Sequence, residues 1–508
     1  MRSRVTYGHV GSRSHDDFPG FASLRAISYH SATMMQGGPD VKETGSERLN
    51  DWRGARVTVM GLGRFGGCLG AIRFLADRGA RVTVTDVQPE DRLAESLAEL
   101  DGLPLAGMHL GGHRDEDFTS TDFVVASPAV PRDNRYLAMA RSAGVVISSE
   151  MNLFWQLQRG TVIAVTGSNG KSTTTALTHS ILKATGRRIW LGGNIGCSLL
   201  PQVEDIQPGD LVVLELSSFQ LEDLDRLRAS PHGAVVTNFS PNHLDWHRTL
   251  DSYRKAKQTI LRWQGTRDFC VLNGADPDVT QWPSQGHRLH FGLVDKGGQG
   301  AFLDGADAVF RNAGTEFRFP LRTWLRVPGL HNVQNALAAS AAALAAGADP
   351  DAVRIGLQSY EPLPHRLQLV AESGGRRFYN DSLATTPESV VVALEAFDQP
   401  IVLLAGGYDK KIDLAPMAEV IARRARVVAL MGQTAATLGD HITQYVQGTA
   451  APLMKRCDDF KEAFCWSAEN SRPGDVILLS PGCASYDWFR HFADRGDQFA
   501  RLARECHF

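Results

Sequence analysis

The segment Val165-Thr166-Gly167-Ser168-Asn169-Gly170-Lys171-Ser172-Thr173 constrains this chain more than any other. An apolar run, 161–165, leads into it, and a helix-forming run, 174–184, leaves it. Strand, glycine loop and helix in that order aim backbone N–H groups and a helix N-terminus at one point, where a phosphate is held. Lys171 then reaches the outer phosphates, and the Ser172 hydroxyl is placed for magnesium. The segment departs from the usual G-x-x-x-x-G-K-[ST] loop. Val165 stands where the first glycine belongs, and Gly167 follows two residues later. Thr174 and Thr175 read as ordinary residues of a helix start.

A loop of this kind needs a parallel sheet with crossover helices, and the flanking chain supplies the runs for it. Residues 56–60 and 81–85 are strands around a helix at 68–77, a βαβ unit, and 123–126 and 145–147 are further buried parallel strands. Strands are predicted at 211–214, 234–237 and 269–272 in a second block, with an alanine-rich helix over 332–346. Polar–apolar alternation over 280–327 suggests a small β element. A third block has strands at 367–371, 378–379, 401–405, 427–431 and 476–479. The expected fold is α/β in three domains: Rossmann-like over 52–153, P-loop ATPase-type over 154–362, and Rossmann-like again over 363–508.

A length of 508 residues suits about three domains, and 43% hydrophobic with 21% charged content suits a globular protein. A net charge of −3 leaves no global footprint for nucleic acid. No apolar run of about 18 residues suggests a membrane span. Seven scattered cysteines argue against a disulfide framework and for a reducing cytoplasm. Residues 1–51 are expected to be a disordered extension. The first 50 lack the apolar core of a signal peptide, and Met34 and Met35 offer later starts.

Several segments carry chemistry. Gly61-Leu62-Gly63-Arg64-Phe65-Gly66 between strand and helix, with Asp86 twenty residues on, is a dinucleotide-binding fingerprint that does not say which nucleotide is bound. Glu215, ending the strand before Leu216-Ser217-Ser218-Phe219-Gln220, suits a magnesium ligand, while Ser217 or Ser218 suits a helix cap. His243, in the loop Asn238-Phe239-Ser240-Pro241-Asn242-His243, suits a metal ligand or a substrate contact, although a lone histidine is more often structural. Lys257 taken alone reads as a solvated helix residue. Capping explains one of Asn332 and Asn335 but not both. Arg366 suits either bidentate phosphate binding or a surface ion pair. Asn380-Asp381-Ser382, Gly406-Gly407-Tyr408-Asp409-Lys410 and Ser480-Pro481-Gly482-Cys483-Ala484-Ser485 each follow a predicted strand, where open α/β sheets bind ligands.

Together these segments resemble the Mur ligases, ATP-dependent amide-forming enzymes of peptidoglycan synthesis, over about residues 52–508. The form T-G-S-N-G-K-S-T, Gly192-Gly193-Asn194-Ile195-Gly196, Glu215 to Gln220, and Ser480 to Ser485 with Asp487, Phe489, Phe492 and Arg495-Gly496 carry the resemblance. It implies a cytoplasmic, monomeric ligase that adds D-glutamate to UDP-N-acetylmuramoyl-L-alanine through an acyl phosphate. By similarity, Gly63, Asp86 and Ser127 line the UDP site, with Asn194 and His243 nearer the sugar and peptide stem. Gly167, Ser168, Asn169, Gly170, Lys171, Ser172 and Thr173 hold ATP phosphates, and Asn332, Asn335, Arg366 and Asp381 contact the rest of ATP. Ser172, Glu215, His243 and Lys257 hold Mg2+, Lys257 being the lysine that the family carbamylates. Lys171, Glu215, His243 and Lys257 form the implied catalytic set. Thr385, Lys410, Ser485 and Phe492 match the incoming-glutamate site. Two positions depart from the pattern: Leu383 replaces a lysine, and Tyr486 a smaller apolar residue. L-glutamate as the added amino acid therefore stays open. Another Mur or folylpolyglutamate-type ligase, an NAD-dependent enzyme or sensor built on 61–86, and a non-catalytic scaffold are the remaining alternatives.

Overall fold

A computed structural model of the protein describes residues 51–508 except 64–67, 197, 296 and 447–450. The expected N-terminal extension, and Arg64, Phe65 and Gly66 of the first glycine loop, lie outside the described residues.

Three sheets follow one another along the chain. The first is parallel throughout, in the order Gly107–Leu110, Arg81–Asp86, Arg56–Met60, Phe123–Ala126, Val146–Ser148. Its central strand is buried on both faces, Val57 and Val59 on one and Thr58 and Met60 on the other, as covering helices on each side require. The order puts Gly61, Asp86 and Ser127 at one edge of the sheet. Gly61 N–H donates to Thr85 O at 2.8 Å, and Ser127 N–H to Met60 O at 2.8 Å.

The second sheet has nine strands: Thr315–Phe319, Asp307–Asn312, Gly300–Asp304, His287–Gly292, Phe269–Asn273, Gly233–Val236, Thr161–Thr166, Leu211–Glu215 and Ile189–Gly193. The alternating 280–327 region is no separate element. Its four strands extend the central sheet, and the pairings at Asp307–Asn312 are antiparallel. Thr161–Thr166 lies between Gly233–Val236 and Leu211–Glu215, so the loops after all three open on one edge. The helices Lys171–Lys183, Leu330–Ala345 and Pro350–Ser359 cover one face. Alanine dominates Leu330–Ala345 because that helix packs closely against Lys171–Lys183, with Ala336, Ala338, Ala339, Ala341, Ala342 and Ala343 all buried.

The third sheet runs Gln368–Ser373, Arg376–Asn380, Val476–Leu479, Ile401–Gly406, Ala425–Met431, Leu453–Arg456. Only its first pairing is antiparallel. Alternate residues of Ile401–Gly406 face two separate cores: Ile401, Leu403 and Ala405 one, Val402 and Leu404 the other. Among the described residues, no helix is long and apolar enough to cross a membrane.

Candidate active site

The phosphate-loop segment forms as its spacing predicts. Strand Thr161–Thr166 ends in Gly167, and Gly170 in the left-handed region (φ +79°) starts the helix Lys171–Lys183. Both glycines are required by their neighbours. A Cβ on Gly167 would collide with the Thr237 hydroxyl, and one on Gly170 would lie 2.5 Å from Asn335 Oδ1. The neighbouring strand pins the loop: Asn169 N–H donates to Asn238 Oδ1 at 2.9 Å, and Thr237 Oγ1 donates to Asn169 O at 2.5 Å. Ser168 Oγ donates to Ser240 O at 2.9 Å and lies 3.2 Å from the Tyr253 hydroxyl.

Two lysines meet beneath this loop. Lys171 Nζ donates to Gly167 O at 3.0 Å and to Ser168 O at 2.9 Å. Lys257 Nζ donates to Gly167 O at 2.7 Å and Thr166 Oγ1 at 3.3 Å. Lys257 is only 1% exposed, although it sits in the polar sequence Tyr253-Arg254-Lys255-Ala256-Lys257. The helix Leu250–Arg262 explains this: Tyr253, Ala256, Lys257 and Ile260 share its buried face. Lys255 points outward and pairs with Asp251 at 2.8 Å. Burial, then the charge of Lys171, pushes Lys257 well below the usual lysine pKa, against the pull of Glu215. Burial also lowers Lys171.

Glu215 ends its strand 1% exposed. Its Oε1 accepts from Asn194 Nδ2 at 2.8 Å; its Oε2 is buried with no hydrogen-bond partner among the described residues. A buried carboxylate oxygen without a donor is costly, and a bound cation relieves that cost. The capping reading of the same segment also holds, since Ser217 and Gln220 make a reciprocal capping box. Asn194 is thus a support for Glu215, through both its side chain and its N–H, which donates to Glu215 O at 2.8 Å. His243 is exposed in the left-handed region (φ +53°), and its ring packs edge-on against Phe219 at 5.2 Å. Among the described residues, no three His, Cys, Asp or Glu side chains gather as a metal cluster.

One cleft is lined by 168–173, Asn332, Asn335, Arg366 and Asp381 together. Neither asparagine caps the helix, whose N-cap is Gly329. Asn332 Nδ2 donates to Pro328 O at 2.7 Å, and Asn335 Oδ1 accepts from Thr174 Oγ1 at 3.2 Å, tying the two helices at the cleft. Among the described residues Arg366 makes no ion pair, and its buried Nε has no hydrogen-bond partner. Asp381 accepts from Leu367 N–H at 3.1 Å and Ser480 Oγ at 2.8 Å, and burial raises its pKa to about 7. His331 and Tyr360 also line the cleft, and burial lowers His331 to about 4. Sequence reasoning missed Tyr253, Tyr360 and Thr237 as site residues. Of these, only Tyr253 had a signal, its place one turn from Lys257.

At the first sheet, Asp86 Oδ2 accepts from Gly63 N–H at 3.0 Å, and Oδ1 from Gln88 N–H at 2.8 Å. Ser127 is buried beside Gly61. In the third region Ser485 is buried, Thr385 and Phe492 are half-buried and Lys410 is exposed. Phe492 O accepts from Ser382 Oγ at 2.7 Å. Buried Arg495 donates to Ser382 Oγ, Ser382 O, Cys483 O and Ala484 O at 2.9–3.3 Å, binding two loops into one frame.

Three family models match in order along the chain: the Mur ligase MurD-like N-terminal domain at 55–149, the Mur ligase middle domain at 165–343, and the Mur ligase glutamate ligase domain at 365–483. The chain is similar to the UDP-N-acetylmuramoylalanine–D-glutamate ligase of Roseiflexus sp. (strain RS-1), 40% identical over 88% of this chain and 98% of the relative. It is 41% identical to the enzyme of that name from Symbiobacterium thermophilum, over 88% and 97%. Among solved structures, the UDP-N-acetylmuramate-alanine ligase MurC of Thermotoga maritima shares the fold at a TM-score of 0.57, with 20% identity over 89% of this chain and 98% of that one. MurF from the same organism, in complex with ADP, gives 0.54 at 18% identity over 90% and 96%. With its three regions matched in sequence and so much of its length shared with such relatives, this chain belongs to the Mur ligase family and is an ATP-dependent ligase.

Proposed function

We propose that this chain joins D-glutamate to UDP-N-acetylmuramoyl-L-alanine, in three domains spanning 52–153, 154–362 and 363–508. The observation that carries the reading is the buried Glu215 carboxylate with a free oxygen, beside a phosphate loop that holds two lysines. ATP occupies the cleft, with its phosphates on 167–173, its ribose at Asp381 and its remaining contacts at Asn332, Asn335 and Arg366. UDP lies against Gly63, Asp86 and Ser127. Glutamate lies against Thr385, Lys410, Ser485 and Phe492.

Amide formation from a free carboxylate in water is uphill, so the alanine carboxylate first takes the γ-phosphoryl group as an acyl phosphate. The glutamate amine attacks that carbon, and phosphate leaves. No enzyme nucleophile is needed; placement and charge neutralisation do the work. Lys171 supplies a fixed positive charge at the outer phosphates. The Ser172 hydroxyl, Glu215, His243 and a carbamate on Lys257 would hold Mg2+, which offsets phosphate charge when bound. A neutral Lys257 amine is the form that adds CO2, and its lowered pKa supports that chemistry. The enzyme acts as a cytoplasmic monomer.

Phosphate release with UDP-N-acetylmuramoyl-L-alanine, ATP and either D- or L-glutamate tests the reading. Release with D-glutamate supports it; release with L-glutamate alone replaces it by the second reading, which the departures at Leu383 and Tyr486 raise. NAD binding at 61–86 would revive the dinucleotide alternative, and titration against the UDP substrate decides that.

A further inference from the structure

Loops after three neighbouring parallel strands, Arg376–Asn380, Val476–Leu479 and Ile401–Gly406, leave the third sheet at one edge. Arg495 fastens the first two loops, as described. The third joins them through Tyr408 N–H, which donates to Ala484 O at 2.9 Å across an isolated antiparallel bridge. On this fixed backbone the rings of Tyr408 and Tyr486 meet edge to face, 6.1 Å apart at 74°. Both stay open to solvent, at 38% and 54% exposure. Exposed Lys410 lies two residues from Tyr408 on the same loop, and its charge is felt at the Cys483 thiol. Leu383 instead lines the nucleotide cleft with Arg366 and Asp381.

We infer that Tyr408 and Tyr486 form the specificity-determining wall of the amino-acid pocket. With Lys410 they receive the side-chain carboxylate of an acidic amino acid, the two phenol hydroxyls donating to it. The inference rests on the ligase reading above. A carboxylate is an acceptor at every lone pair, and an ammonium and two phenols can all donate to it. A side-chain amide presents its own N–H donors to those same groups and leaves donors unpaired, so glutamine is rejected more strongly than its size warrants. The lost cation at 383 belongs to the nucleotide wall and does not empty this pocket of donors.

Steady-state phosphate release with ATP, UDP-N-acetylmuramoyl-L-alanine and varied D-glutamate or D-glutamine tests this on wild type, Tyr408→Phe and Tyr486→Phe. Each phenylalanine keeps the ring packing and removes only the hydroxyl. The expected result is a KM for D-glutamate raised roughly tenfold, the size of one hydrogen bond to a charged group. The preference for glutamate over glutamine falls, and kcat and the KM for ATP stay put. Leu383→Lys moves the KM for ATP and leaves that for glutamate. If both phenylalanine variants keep the wild-type KM and preference, the wall is wrong. A wild type that prefers another amino acid overturns the D-glutamate reading alone; the same variants, assayed with that amino acid, still decide the wall.

Discussion

Lys171 and Lys257 donate to the same carbonyl oxygen, that of Gly167, at 3.0 and 2.7 Å. Two amines converge there because the phosphate loop exposes its carbonyls to the helix Leu250–Arg262 on one side and to the Lys171 side chain on the other. Their closeness adds like-charge repulsion to burial at Lys257, and its neutral form gains.

A neutral, buried amine should take up CO2, and Mg2+ held together with Glu215 would offset the charge of the carbamate. In labelled bicarbonate, carbon-13 NMR is expected to show a carbamate resonance that Lys257→Arg lacks, since arginine stays protonated. Turnover should fall when dissolved CO2 is removed and return with bicarbonate. Equal labelling of both proteins would defeat the assignment.

Lys171 and the UDP site sit on different sheets, so their roles should separate. Lys171→Ala is expected to lower kcat roughly a hundred- to a thousandfold, as for loss of one transition-state charge partner. Calorimetric binding of UDP-N-acetylmuramoyl-L-alanine should be unchanged. A folded variant that loses that binding would contradict separate roles.

Gly170→Ala must adopt φ near +79° and set a Cβ 2.5 Å from Asn335 Oδ1. Gly196→Ala meets a similar φ, +72°, with open space around it. Both pay about 1–2 kcal/mol of backbone strain. Gly170→Ala should cost more in a denaturant titration and should also raise the KM for ATP, because displacing Asn335 disturbs the cleft. Equal losses in the two variants would show that the Asn335 contact is irrelevant.

Asp381 has its pKa raised by burial to about 7, above the ordinary value near 4. The native state therefore holds a proton that the unfolded state has lost between those two values. Stability from the protonated form is complete below about pH 4 and is lost as the pH rises through about 7. Asp381→Asn should flatten that stretch of the stability–pH curve. In the intact enzyme, nucleotide affinity should rise through the same window, as the carboxylate becomes a full acceptor for a ribose hydroxyl. An identical pH dependence in wild type and variant would rule this out.

Strands with continuous apolar runs, such as Leu211–Glu215 and Val476–Leu479, are legible because both their faces are buried. Gly107–Leu110, Ile189–Gly193 and Leu453–Arg456 are missed because they are part-exposed at or near sheet edges and lack such runs. The 280–327 alternation shows strands but not their sheet, since a half-buried strand is equally at home on any edge.

The chain by itself determined the phosphate loop, the strand-end placement of Glu215 and Asp381, and the ligase chemistry, because strand, glycine loop and helix are set by neighbouring residues. Tertiary structure alone decided that Lys257 is buried against Gly167, that Asn194 holds Glu215 with one oxygen unpartnered among the described residues, and that Arg495 locks the loops of the third sheet. Those relations join residues 11 to 113 positions apart. Burial sets their energies, and burial exists only once the sheets have formed.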